Sequence, residues 1–307
     1  MSGGRGETPP GSQSGAAAFF SNPLMSDVEA DWAPIHDAAF NGRVLNLQRL
    51  IAQGARVNLS TLDHVTPLHG ACMRGHAACA KLLLQNGADV NSVTLNGQTA
   101  LSEACARGHV TCVSLLLQHG ASTLGSTRCS SPMHMAAGKG YPECIQSLAE
   151  HGADLDHNVD DSGAPLHVAC SNQQLTTVKK LLHLGASANS RGSGDSPLHI
   201  AARLSSPDMV SVLLSHGADA SLRNLEGKQP LDLAPPNSVV ERLLKQSGGV
   251  PPLMQLCRLH IRRTLGKERL VRIFDLHLPT ELKHYLLHLS HQREVQSSTL
   301  PTEGVLT

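Results

Sequence analysis

Small apolar residues fall into pairs of short clusters that recur along most of this chain. In residues 66–91 the two clusters are Leu68, Ala71 and Cys72, then Cys79, Leu82 and Leu83. Their spacing of three and four residues predicts two short amphipathic helices. Gly75 lies between the clusters, where glycine permits the tight turn of an antiparallel helical hairpin.

Polar and turn-forming residues set the limits of this hairpin. Thr66 is a natural N-cap, and Pro67 suits the first helical turn, which tolerates a missing N–H. Gly87 ends the second helix as a C-cap, and residues 88–91 form a turn-prone connection to the next unit. The stretch therefore predicts a helix, a turn, a second helix and a finger-like connection.

Two landmarks of this unit return in phase along the chain. The proline position recurs at Pro34, Pro67, Ala100, Pro132, Pro165, Pro197 and Pro230, and the glycine position at Gly54, Gly87, Gly120, Gly152, Gly185 and Gly217. Members of each series are 32 or 33 residues apart, and each glycine follows its proline position by 20 residues. One such hairpin cannot bury its own apolar face and must stack on neighbours. We predict an all-α repeat solenoid.

Composition narrows the class of protein further. The 307 residues include only seven aromatic ones, too few for the aromatic-rich core of an ordinary globular domain of this size. The net charge is zero with histidine neutral, which argues against a general binder of nucleic acid or anionic membranes. Residues 1–18 lack the features of a secretory signal, and no stretch has the length of a membrane span. We expect a cytoplasmic protein.

Histidine, serine, aspartate and cysteine recur in the array, which raises the question of catalysis or metal binding. Cys72, Cys79, Cys105, Cys112, Cys144 and Cys170 occupy repeat-equivalent helical positions, and the chain has no CxxC pair. Residues that recur in every repeat are features of a scaffold, whereas a catalytic site occurs once. We therefore predict no catalytic residue, no bound metal and no cofactor.

The unit TPLHGACMRGHAACAKLLLQNGADVN, residues 66–91, resembles an ankyrin repeat. The array at 27–247 then holds six clear repeats and a degenerate seventh, whose second helix we expect at about 239–245 and which reads as a terminal cap. Trp32 and Phe40 offer bulk that could close the first repeat. The resemblance also implies that the repeated histidine bridges neighbouring turns by hydrogen bonds.

The repeat period stops after Gly249, and a different pattern begins. On a helix, one side carries Leu253, Leu256, Cys257, His260, Ile261 and Leu265, while Arg258 and Arg262 lie away from it. We interpret the basic run from Arg258 to Arg272 as a solvated face, although nuclear import or nucleic-acid binding is an alternative. About 40 residues cannot bury so many large apolar side chains unaided, which implies a partner; a simple cap on the solenoid is the other possibility.

Residues 251–290 resemble a SOCS box, which implies three helices and two partners. The part that binds Elongin C matches at Leu253, Leu256, Cys257 and Ile261, with Leu253 and Cys257 entering an Elongin C pocket. The adjoining part, which selects a cullin of the fifth class, matches at Leu276, Leu278, Pro279, Leu282, Tyr285 and Leu286. Glu281 replaces the usual second proline, which weakens the cullin match.

The order of the two modules resembles the ankyrin repeat and SOCS box family, and residues 21–25 and 32–36 look closest to its branch with members nine and eleven. The resemblance implies a non-catalytic substrate receptor of a ubiquitin ligase. The repeats would bind a folded target protein, and the SOCS box would bind Elongin C with Elongin B and a cullin with its RING partner. Ubiquitination would lead to degradation of the target. An ankyrin scaffold without ligase coupling is the alternative.

Two groups of residues are candidates for binding the target, whose identity the sequence does not encode. Arg74, Arg107 and Lys139 occupy one equivalent position in three successive repeats and could face an acidic patch, or they could form an ordinary solvated edge. In the N-terminal tail at 1–26, which we expect to be disordered like 291–307, the apolar residues are Phe19, Phe20, Leu24 and Met25. They could dock on the target or fold back over the first repeat.

Overall fold

The computed structural model describes residues 32–125, 131–159, 162–192, 194–247 and 253–287. The two tails expected at 1–26 and 291–307 lie outside these residues. Within the described ranges the chain forms helices, and its extended contacts are limited to one antiparallel bridge between Val93 and Thr99 in a finger. The predicted all-α solenoid is confirmed.

Seven helical pairs build the array. The inner helices are α1 Pro34–Phe40, α3 Pro67–Arg74, α5 Ala100–Arg107, α7 Pro132–Lys139, α9 Pro165–Ser171, α11 Pro197–Arg203 and α13 Pro230–Leu233. The outer helices are α2 Val44–Ala52, α4 Ala77–Gln85, α6 Val110–Gln118, α8 Pro142–Glu150, α10 Leu175–Leu184, α12 Pro207–Ser215 and α14 Val239–Ser247. Each inner helix packs on the next inner helix, and each outer helix on the next outer one. Stacking thus buries the faces that one pair leaves open.

The local sequence explains the helix limits. Before α3, Thr66 is extended at φ −96° and ψ 164°, and Gly75 closes the helix in the left-handed region at φ 77°. The degenerate copy at Ala100 lacks the proline, but Thr99 accepts a 3.1 Å hydrogen bond from the N–H of Ser102 and keeps the helix start. Capping therefore compensates where the proline is missing.

Small side chains fill the interior between the helices. Six array cysteines that the structure describes have no exposed surface: Cys72, Cys79, Cys105, Cys112, Cys144 and Cys170. Burial raises the pKa of the Cys105 and Cys170 thiols, so both stay protonated and pack as small apolar groups.

A ladder of buried histidines links successive units. In each case the imidazole Nε2 lies within hydrogen-bond distance of a backbone carbonyl in the next finger. The pairs are His36 with the carbonyl of Val65 (3.2 Å), His69 with that of Gln98 (3.3 Å), His134 with that of Gly163 (2.9 Å), His167 with that of Ser190 (3.0 Å) and His199 with that of Lys228 (3.0 Å). The backbone N–H of Ala164 donates to Nδ1 of His167 at 3.1 Å, which puts that ring's proton on Nε2. The bridging role implied for this histidine is confirmed.

The ends of the array differ from its middle. Trp32 packs edge-on against Phe40 with ring centroids 5.7 Å apart and lies 5.1 Å from the His36 ring, so bulky rings do cover the first repeat. At the other end α13 is only four residues long, and Ala234 turns extended before Pro235. Helix α14 reaches Ser247, two residues beyond the predicted end.

The C-terminal segment forms a second, smaller unit. It comprises α15 Leu253–Val271, a 3-10 turn at Ile273–Asp275 and α16 Thr280–Leu286. Gly266, at φ 75° and ψ 166°, kinks α15 into two helical pieces, so the segment has the three helices implied for it. Its interior is made by Leu270, Ile273, Leu286 and Leu287. Across the described residues, the helices are too short or too polar to cross a bilayer.

Candidate partner-binding surfaces

One face of α15 is open to solvent. Cys257, His260 and Thr264 are exposed and recur at helical spacing along this face. Leu253 stands one turn before Cys257 on the same helix, while its side chain and that of Leu256 lie outside the described residues. Ile261, at the edge of the face, is half-buried against the interior of the small unit. The thiol of Cys257 is thus accessible to a partner.

The opposite face of α15 is turned toward the array. Helix α15 packs on α8 and α10, the outer helices of the fourth and fifth repeats. Leu259, Arg262 and Gly266 line a cavity of about 290 Å³ together with residues of the array, including Leu182 and His216. A side chain on Gly217 would place its Cβ 2.9 Å from a methyl of Leu259, so the contact is close. The helix therefore has a docked side and a free side.

Arg262 is the most buried cation of this junction, with 8% of its surface exposed. Its guanidinium donates to the carbonyl of Leu286 at 2.5 Å, to that of His183 at 3.3 Å and to that of Leu182. The prediction that Arg262 belongs to a solvated basic face is wrong. Helical spacing correctly separated it from the apolar stripe but could not show that the array covers that side. Arg269 and Arg272 are exposed as predicted.

Burial and like charges shift several pKa values at the junction. Burial, with Arg258 nearby, lowers the pKa of Arg262 to about 10, so it remains charged at neutral pH. Burial, and to a smaller extent the charge of Arg262, lowers the pKa of His183 to about 4. The same two causes lower the pKa of His216 to about 3. The two imidazole rings are 5.5 Å apart. Both histidines are therefore neutral at physiological pH, which spares Arg262 two further positive neighbours.

The residues matched to cullin binding divide between surface and interior. Pro279 is exposed at the start of α16, and Leu276, Leu278, Leu282 and Tyr285 are half-buried. The Tyr285 ring lies under the Arg258 guanidinium, 4.2 Å from centroid to Cζ. Leu286 has no exposed surface, so here it supports the unit from inside and offers no contact area. Phe274, which the sequence reading did not select, is 58% exposed beside this surface.

The three cations selected on the array are all exposed, and each directly precedes a glycine in the left-handed conformation. The Arg74 guanidinium lies 5.1 Å from the centroid of the Phe40 ring. Arg107 forms an ion pair with Glu103 at 3.2 Å. The structure therefore aligns the row at the ends of three inner helices, with two of its members already in local contacts. The four apolar residues of the tail lie outside the described residues.

The sequence reading missed a row of half-buried apolar residues on the inner helices of the fourth, fifth and sixth repeats. Met135, Val168 and Ile200 each lie three residues after the helix-starting proline of α7, α9 and α11. Gly138 allows the close approach of Val168, because a Cβ there would lie 3.0 Å from its Cγ1. This position could have been found from the repeat alignment, since it varies while its neighbours do not. In the described part of the chain, no three His, Cys, Asp or Glu side chains converge as a metal site would require.

Comparison with known proteins assigns both units. Three copies of a family model for ankyrin repeats match residues 35–127, 123–192 and 166–252, and a model for the SOCS box matches residues 249–287. Ankyrin repeat and SOCS box protein 9 of Mus musculus is 53% identical over 93% of this chain and 98% of its own length, and that of Homo sapiens is 58% identical over 88% and 92%. Human ankyrin repeat and SOCS box protein 5 is 57% identical over 88% of this chain and 83% of its own length.

A solved structure gives the same result for the array. The crystal structure of the human ASB11 ankyrin repeat domain superposes with a TM-score of 0.67 and 46% sequence identity, covering 72% of this chain and all of that domain. The repeats, the C-terminal unit and their order thus agree with these relatives over most of the chain. The chain therefore belongs to the ankyrin repeat and SOCS box protein family.

Proposed function

We propose that this protein is the substrate receptor of a ubiquitin ligase built from Elongin B, Elongin C, a cullin of the fifth class and its RING partner. Ankyrin repeats followed by a SOCS box support a substrate-recognition adaptor of Elongin–cullin ligases. The receptor would hold a target near a charged E2, so that its contribution is a raised effective concentration rather than bond chemistry. We place this activity in the cytoplasm and expect degradation of the target.

The observation that carries the proposal is the free face of α15. Cys257 is exposed there, while Leu259 and Arg262 on the opposite side are held by the array. A helix face that presents an exposed thiol and that the array leaves uncovered is suited to a partner with a matching groove. We assign Leu253, Leu256, Cys257 and Ile261 to Elongin C on this basis and on the family match.

The test replaces two residues of that face together, Leu253→Ala and Cys257→Phe. We expect the full-length double variant to lose Elongin B/C in a pull-down, because one change removes apolar contact and the other adds bulk to it. Arg269→Ala, an exposed change on the same helix, is the matched control. Full retention of Elongin B/C by the double variant, with wild-type helicity in circular dichroism, would refute the assignment.

Selection of the cullin is assigned to residues on α16 and on the segment before it: Leu276, Leu278, Pro279, Leu282 and Tyr285. Leu286 supports these residues from the interior. We expect Leu278→Ala with Pro279→Ala to weaken binding of the fifth-class cullin to the preassembled Elongin B/C complex without loss of Elongin B/C. Equal binding of the variant and the wild-type complex to that cullin would remove this surface from the assignment.

Target binding is assigned to the exposed row of Arg74, Arg107 and Lys139. Proximity labelling with and without ligase inhibition first identifies a target. We then expect reversal of all three charges to glutamate to lower target affinity and to flatten its dependence on salt concentration. Reversal of Arg49, Lys81 and Lys179, which are exposed on outer helices, is the control of equal net charge. Equal affinity and salt dependence in the two variants would leave the row as a solvated edge.

The N-terminal apolar residues Phe19, Phe20, Leu24 and Met25 are assigned to the target as well. Deletion of residues 1–25 separates this role from a fold-back role on the first repeat. Loss of target binding at an unchanged melting temperature would support docking on the target. A lowered melting temperature would support packing over Trp32 and Phe40 instead.

A further inference from the structure

The guanidinium of Arg262 joins three segments that are distant in the chain. It reaches the carbonyls of Leu182 and His183 at the end of α10 in the array, and that of Leu286 at the end of α16. Both acceptor sites lie in the last turn of a helix, where carbonyls are available to outside donors. The carbonyl of Leu182 also accepts from the N–H of Gly185 at 3.2 Å, and its second lone pair can receive the guanidinium. One side chain thus satisfies groups on both sides of the junction between array and SOCS box.

The charge of Arg262 is balanced by helix ends. Among the described residues, the ion pairs do not include Arg262, although the side chain is 8% exposed. The C-terminus of a helix carries partial negative charge that favours a cation within the last turn. A guanidinium donates from several nitrogens in directions fixed by its plane, whereas the three donors of an ammonium group share one nitrogen that rotates freely. The contact is therefore directional as well as electrostatic.

Neighbouring contacts make the junction specific in shape. Leu259, one turn before Arg262, lies against the backbone of Gly217 in the sixth repeat. Arg258 lies over the ring of Tyr285 in α16. Arg262, on the same helix as Leu259 and Arg258, is hydrogen-bonded to both α10 and α16. Loss of the Arg262 guanidinium would leave the apolar contacts at the junction. It would remove the hydrogen bonds that hold α15 and α16 at a defined angle to the array.

We propose that Arg262 is a positioning residue, which fixes the angle between the ankyrin array and the SOCS box and so sets which lysines of a bound protein the ligase can reach. The second half of this inference rests on the proposed function, and the first half does not. Rigid linkage matters here because an effective concentration depends on geometry as well as on tethering.

The first experiment measures the angle in the full-length chain with purified Elongin B/C present. Fluorophores on unnatural amino acids at Gln118 of α6 and Thr280 of α16, both exposed, report single-molecule energy transfer across the junction. We expect Arg262→Gln to broaden the transfer distribution and shift its mean, and Arg262→Lys to have an intermediate effect. Arg269→Gln should match the wild type. A wild-type distribution for Arg262→Gln would overturn the proposal.

The second experiment reads the consequence for ubiquitin transfer and uses the receptor itself as the acceptor. In the reconstituted ligase, mass spectrometry maps which lysines of the array are modified. We expect the wild type and Arg269→Gln to share one restricted pattern and Arg262→Gln to spread modification over additional lysines, at equal Elongin B/C binding. An unchanged pattern in Arg262→Gln would overturn the role in positioning.

These readouts separate the two proposals. If the wild-type chain does not retain Elongin B/C, the proposed function fails, and the energy-transfer experiment on the chain alone still decides the role of Arg262. If Arg262→Gln unfolds the SOCS box, circular dichroism and loss of Elongin B/C will show it, and Arg262→Lys carries the test. A Lys variant with the transfer distribution and lysine pattern of the wild type would overturn the requirement for a guanidinium fork.

Discussion

Substitution of a single ladder histidine tests how the repeats are held together. His167 is 3% exposed; its Nδ1 accepts from the N–H of Ala164 at 3.1 Å, and its Nε2 donates to the carbonyl of Ser190 at 3.0 Å. His167→Ala removes both bonds and most of the imidazole. Since Ala164 has no exposed surface, its N–H is left without water.

The expected loss of stability follows from these contacts. A buried donor without an acceptor costs about 1–3 kcal/mol. The half-buried carbonyl of Ser190 costs less because water can reach it, and the space left by the ring adds roughly 1 kcal/mol. We therefore expect His167→Ala to lower the free energy of unfolding by about 3 kcal/mol. His119→Ala, at an exposed position on the array, should change it by less than about 0.5 kcal/mol.

Urea unfolding followed by circular dichroism at pH 7.5 and pH 5.5 measures the effect. Burial lowers the pKa of His167, so the native ring resists protonation while the unfolded chain takes up a proton below about pH 6.5. The wild type then loses stability as the pH falls, whereas His167→Ala has no such group, and the gap between them should narrow at pH 5.5. Equal losses for His167→Ala and His119→Ala at pH 7.5 would refute the idea that the ladder stabilises the array.

Two further predictions concern the junction and the turns. The pKa of His183 is lowered to about 4 and that of His216 to about 3, so the free energy of unfolding should fall as the pH drops from about 6.5 toward 4. In urea unfolding, the double variant His183→Gln and His216→Gln should depend less on pH than the wild type. A wild-type pH dependence in this variant would contradict the prediction. Gly108→Ala should lower the melting temperature more than Gly120→Ala, because both glycines have φ near +80° but only a Cβ at Gly108 would meet the Tyr141 ring, at 2.5 Å; equal shifts would show that the ring moves aside freely.

The repeat architecture could be predicted from the sequence because each repeat contains the residues that define its own helix limits. Pro67, Gly75 and Gly87 mark the helix limits, and equivalent residues recur at the same spacing in other repeats. Where one repeat lacks a marker residue, its helix limits can still be read from the positions in the other repeats. The ladder histidines followed from the family match, and the structure adds the atoms that they join. Local and periodic features were therefore predictable.

The junction between the array and the C-terminal unit could not be predicted from the sequence, because it depends on contacts between segments far apart in the chain. The distance in sequence from Arg262 to Leu182 is 80 residues, and nothing in the helical pattern of α15 indicates which surface its polar side meets. The same limit applies to Leu286, whose burial depends on how α16 packs on α15. For the row of Met135, Val168 and Ile200 the information was present in the alignment of repeats, but these residues resemble ordinary core positions.

The attachment of α15 to the fourth, fifth and sixth repeats has a consequence for the evolution of such proteins. The first three units lie upstream of the docking point, so exchange or loss of an N-terminal unit would alter the recognition surface without rebuilding the connection to the C-terminal helices. New specificities could then arise by recombination of whole repeats ahead of a preserved base.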